Sequence, residues 1–142
     1  MSTTTTQIPT ATTTQSTTQR QPVWKHGLAA AVVASVATTV LAAAASAAGV
    51  PLEGSDGTSF PLAAFAQMTM IFSLIGVGIA AALARKARHP RSTFVRTTVV
   101  LTLLSYVPDL TFGFDAATAA TLIALHTVAA AIVIPTLARR LA

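Results

Sequence analysis

The chain has 142 residues, 53% of them hydrophobic and only 9% charged, with a formal net charge of +5. A water-soluble domain carries about 25% charged residues, so an ordinary soluble globule is excluded and an integral membrane protein is indicated. The absence of cysteine also removes disulfides, thiolate zinc sites, iron–sulfur clusters and cysteine nucleophiles.

Residues 1–22 are almost wholly Thr, Gln, Ser and Pro, with threonine runs at Thr3 to Thr6 and Thr12 to Thr14. They hold no apolar face whose burial could offset backbone ordering, which predicts a disordered cytoplasmic tail. A membrane domain then occupies residues 23–142. Its first apolar segment runs from about residue 27 to residue 48. At about 1.5 Å per residue this just exceeds the roughly 30 Å hydrocarbon core. Trp24 and Lys25 flank it as interfacial aromatic and basic residues, and Gly49-Val50-Pro51 ends it. A cleaved signal sequence is the competing reading, because Ala45-Ser46-Ala47 resembles a cleavage site. Against it, the apolar run exceeds the usual length of about 7–15 residues.

The second segment covers about residues 61–84, with Pro61 suited to a first helical turn. The basic run Arg85-Lys86-Ala87-Arg88-His89-Pro90-Arg91 stops it. The third segment, about residues 93–107, is shorter and contains Arg96, whose long side chain can reach back to the interface. Residues 107–114 remain apolar and are expected to lie in the interface or dip into it, packed against protein. The fourth segment covers about residues 115–138. Asp115 is a candidate N-cap, Pro135 should bend the last turns, and Arg139-Arg140 closes the segment.

Charge gives the orientation. Every Lys and Arg falls in the N-terminal flank, in the 85–96 region or at the C-terminus. All four acids, Glu53, Asp56, Asp109 and Asp115, lie in or beside the two other loops. Short basic loops stay cytoplasmic, so the expectation is four spans with both termini inside. The basic balance is thus a topology signal with an added attraction to anionic headgroups at the 85–91 loop. A nucleic-acid surface would need basic residues clustered among aromatics on a folded face, and no nucleic-acid partner is expected.

Each span carries small or hydroxyl residues at helical spacing: Ser35, Thr39, Ala42 and Ser46; Thr69, Ser73, Gly76 and Ala80; Thr98, Thr102, Ser105 and Asp109; Asp115, Ala119, Leu122 and His126, with Thr118 adjoining. Such stripes allow helices to approach closely in lipid, or they could line a polar path. His126, near the middle of the fourth span, is the ionisable group most in need of a partner. It would be a neutral imidazole bonded to a hydroxyl or carbonyl, a proton-handling group, or part of a ligand pocket. Asp115 lies three helical turns earlier, about 16 Å along the axis, too far for contact. Asp109 and Tyr106 would sit near the outer mouth of any path through His126. Local hydrogen bonding is the plainer role for Asp109, in a turn after Pro108, and for Asp115 as a helix cap. One buried histidine and no cysteine predict no metal site, and no catalytic triad or cofactor-binding motif is present.

The run from Asp115 through His126 to Pro135, with Ala-Ala-Gly49-Val-Pro51 and Leu-Ser-Tyr-Val-Pro108, resembles small actinobacterial four-helix membrane proteins grouped as a domain of unknown function, number 6069. The resemblance covers roughly residues 25–140 and is clearest at His126 and Pro135. It implies four spans and a plasma-membrane location, and carries no activity. The expected fold is therefore an all-α four-helix transmembrane bundle. The expected function is non-enzymatic, exerted through packing with lipid, with a second copy or with a larger membrane complex. The alternative is a small transporter or proton-coupled carrier using His126.

Overall fold

The computed structural model describes residues 23–141, so the disorder expected for residues 1–22 lies outside the described residues. The architecture is all-α: α1 (Val23–Ala47), α2 (Leu62–Lys86), α3 (Pro90–Thr111) and α4 (Ala116–Ala138). It is a four-helix transmembrane bundle in which α1, α2 and α4 are each long and apolar enough to cross a membrane. At 22 residues α3 is nearly as long, but it carries Arg91, Arg96, Asp109 and several hydroxyls and is less apolar.

Local chemistry explains the helix ends. Gly49 has φ of +90°, which glycine adopts without a Cβ penalty. The Gly49 amide donates to the Ser46 carbonyl at 3.0 Å and the Val50 amide to the Ala45 carbonyl at 3.0 Å, a Schellman closure of α1. Pro90 opens α3 at a position where its missing N–H costs nothing. Asp115 caps α4, accepting from the Thr118 amide at 3.0 Å, as the sequence indicated. The third helix exceeds its apolar segment at both ends. It runs through Pro108 to Thr111, and the Phe112 amide donates to the Pro108 carbonyl at 3.0 Å. A proline interrupts a membrane helix less when neighbouring helices pack around it. The expectation that Asp109 follows Pro108 in a turn is accordingly corrected: Asp109 is helical and buried. Pro135 likewise lies inside α4, which continues to Ala138.

The helices pack in ring order. α1 lies against α2 and α4, α3 closes the ring between α2 and α4, and α2 and α4 meet across the short diagonal. Among the described residues α1 and α3 do not touch. Alanine dominates the interior face of α1, where Ala31, Ala34 and Ala42 are fully buried beside Ser35 and Thr38. The large apolar side chains point outward instead, among them Val36, Phe72, Val100 and Leu104. This inside-out arrangement suits lipid, where small residues at helix contacts allow close approach and no hydrophobic force drives large ones inward.

The small-residue stripes mostly face inward, with exceptions. Ser35, Ala42, Ser73, Ala80, Thr118 and Ala119 are buried, whereas Ser46 and Asp115 are exposed. Thr38 Oγ1 and Thr69 Oγ1 share a hydrogen bond at 3.0 Å that ties α1 to α2. The α3 hydroxyls bond within their own helix: Thr102 donates to the Thr98 carbonyl at 2.9 Å and Ser105 to the Thr102 carbonyl at 2.7 Å.

Among the glycines of the described residues, Gly27 has the least room for a side chain. A Cβ there would fall onto Val77 Cγ2, with Val77 Cγ1 at 2.9 Å and Leu137 Cδ2 at 3.2 Å. Val77 is buried and β-branched, so it cannot rotate away cheaply. Gly27→Ala should therefore destabilise the bundle by about 1–3 kcal/mol, seen as a lowered Tm in detergent. Gly78→Ala should leave Tm nearly unchanged, because a Cβ there meets nothing within 4 Å.

At the opposite end from the basic loop, residues 52–60 fold back as a small hairpin. The Phe60 amide donates to the Leu52 carbonyl at 2.9 Å and the Gly54 amide to the Thr58 carbonyl at 2.8 Å. Leu52, held at φ of +48°, is buried against Ala42 and Leu125. Phe60 packs edge-on against Phe65 and Phe114, with centroids 6.3 and 6.1 Å apart.

Candidate functional site

A polar cluster sits between α3 and α4, and its depth follows from the lengths of the elements. His126 is ten residues into α4, about 15 Å from its start, whereas Asp109 is two residues from the end of α3. The two helices are thus staggered by about 12 Å. The non-helical residues 112–115 cover the difference, since an extended chain advances about 3.3–3.6 Å per residue. The stagger brings Asp109 to the level of His126, about half-way through an apolar slab of roughly 30 Å.

There Asp109 Oδ2 lies 2.9 Å from His126 Nδ1. The same Nδ1 is 2.9 Å from the Leu122 carbonyl, one turn earlier on α4. A carbonyl oxygen only accepts, so Nδ1 carries the hydrogen and donates to Leu122. Oδ2 then lies beside the N–H rather than on its axis and completes no aligned hydrogen bond of its own. The contact is electrostatic, between a buried carboxyl and an imidazole whose side chain is 39% exposed. The arrangement fixes the imidazole: Nδ1 is committed, and Nε2 is the atom left to exchange a proton.

Tyr106 stands one turn before Asp109 on α3. Its hydroxyl shares a hydrogen bond with Thr127 Oγ1 at 2.8 Å, and its ring centroid lies 6.5 Å from that of His126. Two polar links therefore join α3 to α4 at one level, Asp109 to His126 and Tyr106 to Thr127. Thr127 donates to the Ile123 carbonyl at 2.7 Å, so in the pair with Tyr106 the tyrosine hydroxyl donates. Asp109 and Tyr106, expected at an outer mouth, stand instead beside His126 in the middle of α4.

Asp115 takes no part in this cluster. It is exposed at the start of α4 and spends its carboxylate on the helix N-terminus. Hydrogen bonds from the Thr118 backbone hold its carboxyl below the usual carboxylate range. A depressed folded-state value means that its stabilisation is present above the unfolded value near pH 4 and is lost as pH falls through the lower, folded one. Asp56, whose carboxylate accepts from the Thr58 amide and hydroxyl at 3.0 and 2.8 Å, is shifted the same way. The bundle should therefore melt at lower temperature below about pH 4. Asp115→Asn, which keeps an acceptor oxygen at the cap, should shrink that acid limb to the part due to Asp56 in a pH series of detergent melts.

Of the four residues singled out in the sequence, then, three come together and Asp115 stands apart. Thr127 was not singled out; its adjacency to His126 was the available signal, but it lies off the stripe that contains His126. Leu122 contributes through its backbone, which side-chain patterning does not reveal. Among the described residues, no three His, Asp or Glu side chains converge as metal ligands would.

Neither a curated protein nor a solved structure matches the chain. A family model does match, over residues 18–142. That span takes in all four helices and the polar cluster between α3 and α4, so the chain belongs to the family of unknown function DUF6069.

Proposed function

We propose that this is a non-enzymatic plasma-membrane protein, with both termini cytoplasmic, that acts through what its outer surface packs against. The observation that carries this reading is the inside-out distribution of side chains. Alanine, serine and threonine fill the contacts, while Phe72, Val100, Leu104 and other large apolar groups face outward. A surface of that kind meets lipid, a second copy or another membrane protein, and among the described residues the Asp109–His126 pair is the ionisable pair of the interior. The third helix would run from the basic-end interface, which Arg96 reaches, to just past mid-depth, and the non-helical residues 112–115 would complete that crossing. Co-purification from native membranes tests the reading. Recovery with stoichiometric lipid, a second copy or a partner is expected. Recovery of a turnover activity that survives removal of all three would contradict it.

One observation favours a second reading, a proton-coupled carrier. Asp109 and His126 form an ionisable pair at mid-depth, where such groups are costly and can mark proton or ion paths. In liposomes, His126→Ala should abolish a proton or solute flux if the pair carries protons. If the pair fastens α3 to α4, the same substitution lowers thermal stability and changes no flux.

A further inference from the structure

We infer that the outer face of α3 and α4 holds one anionic phospholipid, with its phosphate at Arg91 and Arg96 and an acyl chain in the groove above them. The inference rests on the membrane reading proposed above and names a specific lipid class for one face.

Two surface depressions carry it. The first, of about 590 Å³, lies at the basic end, with Arg88, Arg91 and Arg96 in its wall. The second, of about 390 Å³, is an apolar groove between α3 and α4, with Val99, Leu103 and Ala131 along it and Tyr106 at its far end. They lie on one face of α3. Arg96, Val99, Leu103 and Tyr106 follow at helical steps of three and four, so the groove begins one turn beyond the arginine. From Arg96 to Tyr106 is ten residues, about 15 Å, which is the depth of one leaflet. The geometry is that of a phospholipid standing in its leaflet: a charged head at the interface and a chain reaching the midplane.

Charge selects the lipid. The three arginines are exposed, and Glu53, Asp56 and Asp115 sit at the other end of the bundle. Guanidinium groups match phosphate oxygens in paired hydrogen bonds. A zwitterionic headgroup such as phosphatidylcholine would bring its own cation into this basic depression, whereas phosphatidylglycerol brings none. Free phosphate would use the arginines but leave the groove empty. The small Ala131 side chain leaves room along the groove, and Pro135, which also lines it, cannot donate to the carbonyl four residues earlier and interrupts the regular helix there.

The test is lipid retention by the full chain in detergent, read by native mass spectrometry after incubation with phosphatidylglycerol or phosphatidylcholine. Phosphatidylglycerol should be retained as a single bound molecule in preference to phosphatidylcholine. Arg91→Gln and Arg96→Gln should each weaken retention about fivefold, as expected for about 1 kcal/mol per basic residue. Ala131→Leu fills the groove without altering charge and should weaken it too. Ala131 and both arginines are exposed, so helicity and Tm should be unchanged in all three variants. Millimolar inorganic phosphate should not displace the lipid. Equal retention of phosphatidylcholine, undiminished retention in Ala131→Leu, or displacement by phosphate would overturn the inference. Loss of the chain from carbonate-washed membranes would instead overturn the membrane reading beneath it.

Discussion

His126→Ala should cost the bundle about 3 kcal/mol, whereas Asp109→Ala should cost only about 1 kcal/mol. The asymmetry follows from the geometry. Removing Asp109 leaves His126 with its hydrogen bond to the Leu122 carbonyl intact. Removing His126 leaves a carboxyl that is only 6% exposed, with no aligned partner. An unpaired carboxylate at the centre of a membrane helix costs about 2.5–3.5 kcal/mol on insertion scales. An interhelical hydrogen bond in lipid contributes only about 0.6 kcal/mol on average. The penalty of the orphan therefore decides the outcome, not the strength of the link. The double replacement Asp109→Leu with His126→Leu should recover most of the loss, because an apolar pair of similar volume is often as stable as a buried ionic one. Unfolding of the three variants in mixed micelles would show it. Equal losses for both single replacements would mean that the two groups stand in aligned, mutual hydrogen bonding instead.

Phe94→Ala should be the most damaging apolar replacement, and Phe72→Ala close to neutral. Phe94 is fully buried, packed in a cluster with Val77, Val133 and Leu137. Phe72 is 65% exposed on the outer face of α2. In a water-soluble core Phe→Ala costs about 3–5 kcal/mol, part transfer and part cavity. Lipid is as apolar as the protein interior, so the transfer part falls away and the cavity with its lost dispersion contacts remains. The expected loss is therefore below that range but still well above that of any outward-facing residue. A soluble bundle would show the full soluble-core cost at Phe94 and a hydrophobic surface at Phe72 prone to aggregation. Paired Tm measurements in detergent, Phe94→Ala against Phe72→Ala, separate these.

How much was legible in the sequence depended on whether a feature is set within one helix or between two. The Asp115 cap was legible because it needs only a side chain and the amide three residues on. The bundle itself was legible because apolar length and flanking arginines are local quantities. The inward faces were mostly legible, since Ser35, Ser73 and Thr118 lie where a period of 3.6 places them.

The Asp109–His126 contact was not legible. It depends on α3 continuing through Pro108, where the sequence favours a stop, and on four irregular residues that set the stagger of α3 against α4. No pattern within either helix encodes that offset. Tyr106 was placed at a mouth for the same reason. The buried position of Leu52 was also hidden, because a leucine at positive φ follows from the hairpin that holds it and not from its own preference.

The membrane-crossing arrangement is tested most directly by single-cysteine labelling, for which the cysteine-free chain is already a clean background. Ser55 lies exposed in the loop between α1 and α2, and Ser92 lies exposed at the start of α3. With Ser55→Cys, an impermeant maleimide should label intact cells. With Ser92→Cys, it should label only after the membrane is opened. Labelling of Ser92→Cys alone in intact cells would reverse the orientation, and labelling of both would contradict a bundle whose hairpin end and basic end lie on opposite sides of the bilayer.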